Sequence, residues 1–132
     1  MQLIQTLRNK NINVIERPAW GTYPRKQWEN CFAGHLSLEE KKSIYLFNDD
    51  GFCGYLWHVF SYEKQDCLRG KEAEREFNNV SKQACYVFYQ HSNKALVLEQ
   101  ADALTADDLR EEQDVYVVDH DFSWTYVQTH ES

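Results

Sequence analysis

Glycine, proline and flexible polar stretches are scarce in this sequence. The 132 residues include 5 glycines and 2 prolines, and no segment is rich in Ser, Pro or Gly. Linkers and low-complexity regions have that composition, so the sequence predicts a single domain over residues 1–132. A chain of this length buries roughly two-thirds of its unfolded surface on folding. We therefore expect one compact domain with its own hydrophobic core.

Long apolar runs are absent as well. The segment 1–8 lacks the basic start and the continuous apolar stretch of a secretory signal. No segment approaches the roughly 18 consecutive apolar residues that a membrane-spanning helix needs. These absences predict a soluble, cytoplasmic protein without a membrane partner.

Motifs that identify catalytic or metal sites are also missing. The sequence has no GxSxG, no P-loop, no GxGxxG and no CxxC pair. The acidic turn 48–51 does not have the ligand spacing of a calcium loop. Wide spacing of the cysteines predicts reduced and mostly buried thiols. The cysteines are Cys31, Cys53, Cys67 and Cys85. We expect no cofactor and no metal, and a noncatalytic protein is favoured over an enzyme.

Basic residues are outnumbered by acidic ones. The chain has 14 Lys and Arg against 21 Asp and Glu, which gives a formal net charge of -7 at pH 7. Nucleic acids and anionic membranes would repel such a surface, so neither is an expected partner. A basic protein is the partner that this charge favours.

Apolar spacing and capping residues predict helices concentrated in the N-terminal half. Ser37 and Glu40 have the spacing of a capping box, and Pro24 suits the first turn of a helix. The segment 2–9 has apolar residues at helical spacing. The predicted helices cover 2–9, 23–32, 37–46, 70–77 and a short segment from Thr105.

Alternating apolar residues predict strands mainly in the C-terminal half. Two hairpins are expected, with polar turns at 91–93 and 119–121. The aromatic segment 55–62 is apolar on both sides when extended, so it predicts a central strand. The predicted strands cover 12–15, 55–62, 84–90, 94–99, 114–118 and 122–129. Together these elements predict an α+β fold, with a mostly antiparallel mixed sheet of about five or six strands and helices packed mainly on one side.

Four runs cover much of the chain: WGTYPRKQWENCFAGHLS at 20–37, YLWHVFSY at 55–62, CYVFYQHSNKALVLE at 85–99 and DVYVVDHDFSWTYVQTHE at 114–131. They resemble an uncharacterised family of small cytosolic single-domain proteins, a domain of unknown function, from Bacillus and related Firmicutes. The resemblance implies a bacterial origin and a single domain. It supplies no catalytic residue.

His58 is the candidate catalytic residue. An imidazole within the aromatic segment 55–62 can serve as a general base or a metal ligand. The alternative is a core histidine that hydrogen-bonds to the backbone or to a tyrosine. His130 lies in a second group of polar residues, but a strand of about eight residues spans roughly 25 Å. We therefore expect His130 and the turn 119–121 to lie apart, with His130 and Glu131 in a polar terminal segment.

Aromatic side chains around the second predicted helix are candidate binding residues. They are Trp20, Tyr23 and Trp28. Trp and Tyr are enriched at protein interfaces, and the loop before this helix can leave rings exposed. Packing in the core is the alternative.

Two functions remain open on the sequence. The first is a noncatalytic protein-interaction domain, an inhibitor or immunity-like acidic partner of a basic protein. The second is a small hydrolase or metal-dependent enzyme with a site around His58, assembled from residues that are distant in the chain.

Overall fold

The computed structural model describes residues 1–46 and 54–131. These ranges form five α-helices, a 3-10 helix at Ala106–Leu109 and a five-stranded sheet. The helices are α1 (Gln2–Asn9), α2 (Thr22–Phe32), α3 (Leu38–Ser43), α4 (His58–Ser61) and α5 (Gly70–Asn79). The strands are β1 (Asn13–Arg17), β2 (Ala84–Tyr89), β3 (Ala95–Glu99), β4 (Val115–Asp119) and β5 (Thr125–Gln128). The predicted α+β class is confirmed, as is the concentration of helices in the N-terminal half.

The strands pair antiparallel throughout, in the order β1-β3-β2-β4-β5. Both predicted hairpins form, because their polar turns separate strands with alternating apolar residues. The hairpins join along β2 and β4, where Val87 lies opposite Val117. β1 pairs with the other side of β3. In the described ranges, no helix has the length and apolar character needed to cross a membrane.

The sheet buries both of its faces. Successive residues of a strand point to opposite faces, so Val87 and Phe88 enter different cores. One core includes Leu7 of α1, and the other includes Trp28 of α2. The helices therefore flank both faces rather than mainly one, because apolar side chains on both sides of the central strands require cover.

The capping box at the start of α3 is confirmed. Ser37 Oγ accepts a hydrogen bond from the Glu40 backbone N–H at 3.1 Å, and the Glu40 carboxylate accepts from the Ser37 backbone N–H at 3.0 Å. These bonds lower the pKa of Glu40. Two N–H groups that have no partner within the helix are thereby satisfied.

The prediction of a strand at 55–62 is wrong. The segment forms a turn followed by α4, and side chains from distant parts of the chain accept two of its backbone hydrogen bonds. The Leu56 N–H donates to Gln90 Oε1 at 2.9 Å, and the Trp57 N–H donates to the Tyr116 hydroxyl oxygen at 3.2 Å. In a strand, these N–H groups would instead donate to backbone carbonyl oxygens of a neighbouring strand. A short run of large apolar residues does not distinguish these two structures.

The cysteines differ in burial. Cys31 and Cys67 are exposed, so the prediction of mostly buried thiols is wrong for these two. Cys85 is buried, and desolvation raises the pKa of its thiol from 9.0 to about 12. Cys53 and the predicted turn 48–51 lie outside the described residues.

Candidate functional site

Histidines from two loops meet at one end of the sheet. Val115, the first residue of β4, lies opposite Tyr89 at the end of β2 and opposite Gln128 at the end of β5. These three strand ends are therefore neighbours. His91 follows β2 and His130 follows β5, so the register brings both histidines to this end.

Tyr55 lies at the centre of the group. Its ring centroid is 5.4 Å from that of His58, 5.3 Å from that of His91 and 5.2 Å from that of His130. The ring of Tyr62, a residue that is 47% exposed, lies 5.3 Å from His58. Tilted and edge-to-face ring contacts of this kind are favourable. We call these five side chains the histidine–tyrosine face.

A buried carboxylate orients His130. The Asp114 side chain is 9% exposed, and its Oδ1 and Oδ2 lie 3.0 Å and 3.1 Å from His130 Nδ1. Asp114 Oδ1 also accepts from Trp57 Nε1 at 3.0 Å and from the His130 backbone N–H at 3.3 Å. Asp114 has φ 52°, in the left-handed region that Asp adopts more readily than most residues. His130 Nε2 lies on the other side of the ring, 4.0 Å from Glu131 Oε1.

A buried amide and a buried phenol support the segment that carries Tyr55. The Tyr116 hydroxyl donates to Gln90 Oε1, which also accepts from the Leu56 N–H. Gln90 is 2% exposed and Tyr116 is fully buried. Burial raises the pKa of Tyr116 well above its usual 10.0, so the phenol keeps its proton and remains a donor at neutral pH. These bonds fix the backbone on which the face is built.

His58, the predicted catalytic residue, is half-buried within the face. Its Nδ1 lies 2.9 Å from the Tyr45 carbonyl oxygen, so Nδ1 carries the proton in this hydrogen bond. Gly54 allows the chain to pass this carbonyl: a Cβ at Gly54 would lie 1.8 Å from the Tyr45 oxygen, and the φ of Gly54 is 144°. A catalytic role for His58 stays a prediction.

The three predicted binding residues do not share one surface. Tyr23 is 49% exposed and stacks on Trp20 with ring centroids 5.0 Å apart. Trp20 also packs edge-on against Tyr86. Trp28 is fully buried, and its Nε1 donates to Thr125 Oγ1 at 2.9 Å. The structure therefore brings Trp20 and Tyr23 together and places Trp28 in the core, where a partner does not reach it. Binding by these residues stays a prediction.

Asp119, His120 and Asp121 lie at the opposite end of β4 from Asp114, as the length of the strand leads one to expect. They form a group of potential metal ligands whose atoms all lie within 4.8 Å of one another. The hydrogen bonds of Asp121 with Ser123 and Asp119 lower its pKa. His120 and Asp121 are exposed, and exposed acidic groups of this kind are common without an ion. This group does not contribute to the histidine–tyrosine face.

One known protein family matches the sequence from residue 1 to residue 132. The family profile described as domain of unknown function DUF4275 matches residues 1–132. The chain belongs to this family. The resemblance to a domain family of unknown function is therefore confirmed, whereas the bacterial origin and the cytosolic location stay predictions. No curated protein and no solved structure matches this DUF4275 domain.

In this DUF4275 domain the face offers two kinds of chemistry. Its tyrosine rings can bind cations, and Asp114 can orient the imidazole of His130 for proton transfer. The sequence predicts His130 in a polar terminal segment and carries no local motif that marks Asp114 or Gln90. The hairpin register was the available signal, because the residue before β4 lies close to the residues that follow β5.

Proposed function

We propose that this domain is a noncatalytic interaction domain that binds a basic protein partner through the histidine–tyrosine face. The observation that carries the proposal is a connected set of accessible rings on a frame of buried hydrogen bonds. Tyr62 is 47% exposed, and His91 and His130 are also exposed. Tyr is enriched at interfaces, and rings that are already ordered reduce the entropy lost on binding.

The charge of the chain favours a cationic partner. The net charge of -7 attracts a basic protein over distance and accelerates association. Glu63 is exposed directly after Tyr62, and Glu131 is exposed beside His130. Arg and Lys side chains stack on tyrosine rings and pair with carboxylates. A basic segment therefore finds both kinds of contact at this end of the sheet.

Two tyrosines of matching exposure test the proposal. Tyr62, on the face, is 47% exposed, and Tyr23, in the predicted binding loop, is 49% exposed. Tagged full-length wild type, Tyr62→Ala, Tyr62→Phe and Tyr23→Ala are used to capture partners from native cells at low salt. We expect one basic protein to be retained by wild type, Tyr62→Phe and Tyr23→Ala. Tyr62→Ala should lose it, because only this variant removes the ring from the face.

The captured protein is then purified and its affinity for each variant is measured at increasing salt. The affinity should fall with salt, because the partner is held partly by charge. Capture that depends on Tyr23 and not on Tyr62 would move the binding surface to the stacked pair Trp20 and Tyr23 and contradict the proposal. Failure to recover any specific protein would contradict it as well.

The Asp114–His130 pair favours a second candidate function, a small hydrolase whose general base is His130 rather than His58. A carboxylate that holds Nδ1 of an imidazole leaves Nε2 to take a proton from a nucleophile. In His58 a backbone carbonyl holds Nδ1 instead. Hydrolysis of p-nitrophenyl acetate and p-nitrophenyl phosphate is measured for wild type, His130→Gln and the control His120→Gln. A loss of about 100-fold for His130→Gln alone supports the enzyme, and equal rates for all three contradict it.

A further inference from the structure

The loop between β2 and β3 borders an open depression that adjoins the histidine–tyrosine face at His91. The depression has a volume of about 280 Å³. Its lining residues are Arg25, Gln90, His91, Ser92 and Asn93. All five carry side chains that can donate a hydrogen bond, and none carries a carboxylate.

One of the lining residues, Gln90, has a buried donor without an acceptor. Gln90 is 2% exposed, and its Nε2 forms no hydrogen bond, unlike the other buried side-chain polar atoms of the part of the chain that is described. The orientation of the amide is fixed, because its Oε1 must face the N–H of Leu56 and the hydroxyl of Tyr116. A flip of the amide would leave those two donors without an acceptor. A buried N–H without an acceptor costs free energy, so a bound molecule that offers an acceptor to this atom would stabilise the protein.

A buried guanidinium gives the depression a positive charge. Arg25 is 5% exposed, and its Nη1 donates to the Ser92 carbonyl oxygen at 2.7 Å. Its Nη2 donates to Asn93 Oδ1 at 2.6 Å. These bonds hold the loop around the cation, and the Gly21 N–H donates to the Asn93 carbonyl oxygen at 2.7 Å on the same side. The guanidinium side chain thus places a positive charge beside the loop.

We propose that this depression binds the oxyanion of a small ligand, a carboxylate or phosphate group that accepts a hydrogen bond from Gln90 Nε2. The positive charge of Arg25 and the donors of His91 and Asn93 favour an anion over a neutral acceptor. The depression shares His91 with the histidine–tyrosine face, but Tyr62 is not among its lining residues.

Nuclear magnetic resonance of the ¹⁵N-labelled full-length protein tests the site without any partner. The side-chain amide signals of Gln90 are assigned by through-bond connectivity and followed during titration with sodium acetate or sodium phosphate, against sodium chloride at equal ionic strength. We expect one of the two anions to move these signals to saturation with a Kd of about 1 mM or below, a range within reach of a ligand of four or five heavy atoms. The arm that saturates identifies the carboxylate or the phosphate. The indole signal of Trp28, which is fixed by Thr125, serves as the internal reference.

Two variants separate a built site from a general charge effect. Asn93→Asp places a carboxylate beside Arg25 and should weaken binding about tenfold or more. Gln100→Glu makes the same change in charge at the other end of β3 and should leave binding unchanged. Equal effects of the two variants, or no saturable shift with either anion, would overturn the proposal and leave Gln90 Nε2 to an ordered water. A Tyr62→Ala variant that loses its protein partner but still binds the anion would show that the two functions fail separately.

Discussion

Replacing Asp114 by asparagine tests whether the buried carboxylate holds the histidine–tyrosine face in place. The substitution keeps the shape of the side chain and suits the positive φ of this position, because Asn also adopts the left-handed region readily. One oxygen remains to accept from Trp57 Nε1. The negative charge that faces His130 is removed. The expected loss is the charge contribution to the hydrogen bonds that Asp114 accepts from His130 and Trp57, of which a double-mutant cycle isolates the His130 side-chain part.

The size of this loss follows from the geometry. Hydrogen bonds to charged groups contribute about 1.5–3 kcal/mol, and neutral ones about 0.5–1.5 kcal/mol. The difference predicts a loss of about 1–1.5 kcal/mol of unfolding free energy for the bond to His130. The His130 side chain is 36% exposed, so solvent screening places the expected coupling near the lower limit, at about 1 kcal/mol.

A double-mutant cycle in urea at neutral pH measures the coupling directly. It compares wild type, Asp114→Asn, His130→Ala and the double variant. The matched control is a second cycle on Asp119 and His120 in the same hairpin, whose nearest side-chain atoms lie 3.4 Å apart and whose histidine is 62% exposed. We expect about 0.3 kcal/mol or less for this control. If the Asp114–His130 coupling does not exceed the control value, the carboxylate does not orient His130 and the reasoning is refuted.

Two further predictions concern stability. Gly54→Ala should lower the free energy of unfolding in urea by about 3 kcal/mol or more, because the new Cβ would lie 1.8 Å from the Tyr45 carbonyl oxygen. The control Gly70→Ala, whose Cβ would have nothing within 4 Å, should lower it by about 1 kcal/mol. Similar losses for the two variants would contradict the close approach at Gly54. The Cys85 thiol ionises near pH 9.0 when unfolded and near pH 12 when folded, so stability is complete below about pH 9 and is lost as the pH rises toward 12. Urea unfolding at pH 8 and pH 10 should show that wild type loses about 1.4 kcal/mol more than Cys85→Ala, and equal pH slopes would contradict this origin.

The hairpins and the amphipathic helices could be predicted from the sequence because their signals are local. The polar turns at 91–93 and 119–121 stand between alternating strands, and Ser37 with Glu40 satisfies a helix start within four residues. The segment 55–62 could not be predicted in this way. Its conformation depends on Gln90 and Tyr116, which accept its backbone hydrogen bonds from positions far along the chain.

The candidate site shows the same division between local and long-range information. The meeting of Asp114 and His130 follows from the register of a hairpin that the sequence predicts. The contacts of His58 and His91 with Tyr55 do not, because they require knowing where the segment after Gly54 packs. The sequence favours His58 over His130 as the catalytic candidate only if 55–62 forms a central strand. In the structure, His130 is the histidine that a buried carboxylate orients.

Gln90 connects the two proposed sites through a single amide. Its oxygen fixes the backbone beneath the histidine–tyrosine face, and its nitrogen belongs to the residue that lines the depression beside Arg25. A ligand that accepts from Nε2 polarises the amide and strengthens the hydrogen bonds that the oxygen accepts, since bonds in such chains reinforce one another. Occupation of the depression should therefore stabilise the face rather than compete with it. Gln90, the residue after β2, thus supports the exposed rings through its amide oxygen and offers a ligand a hydrogen-bond donor through its amide nitrogen.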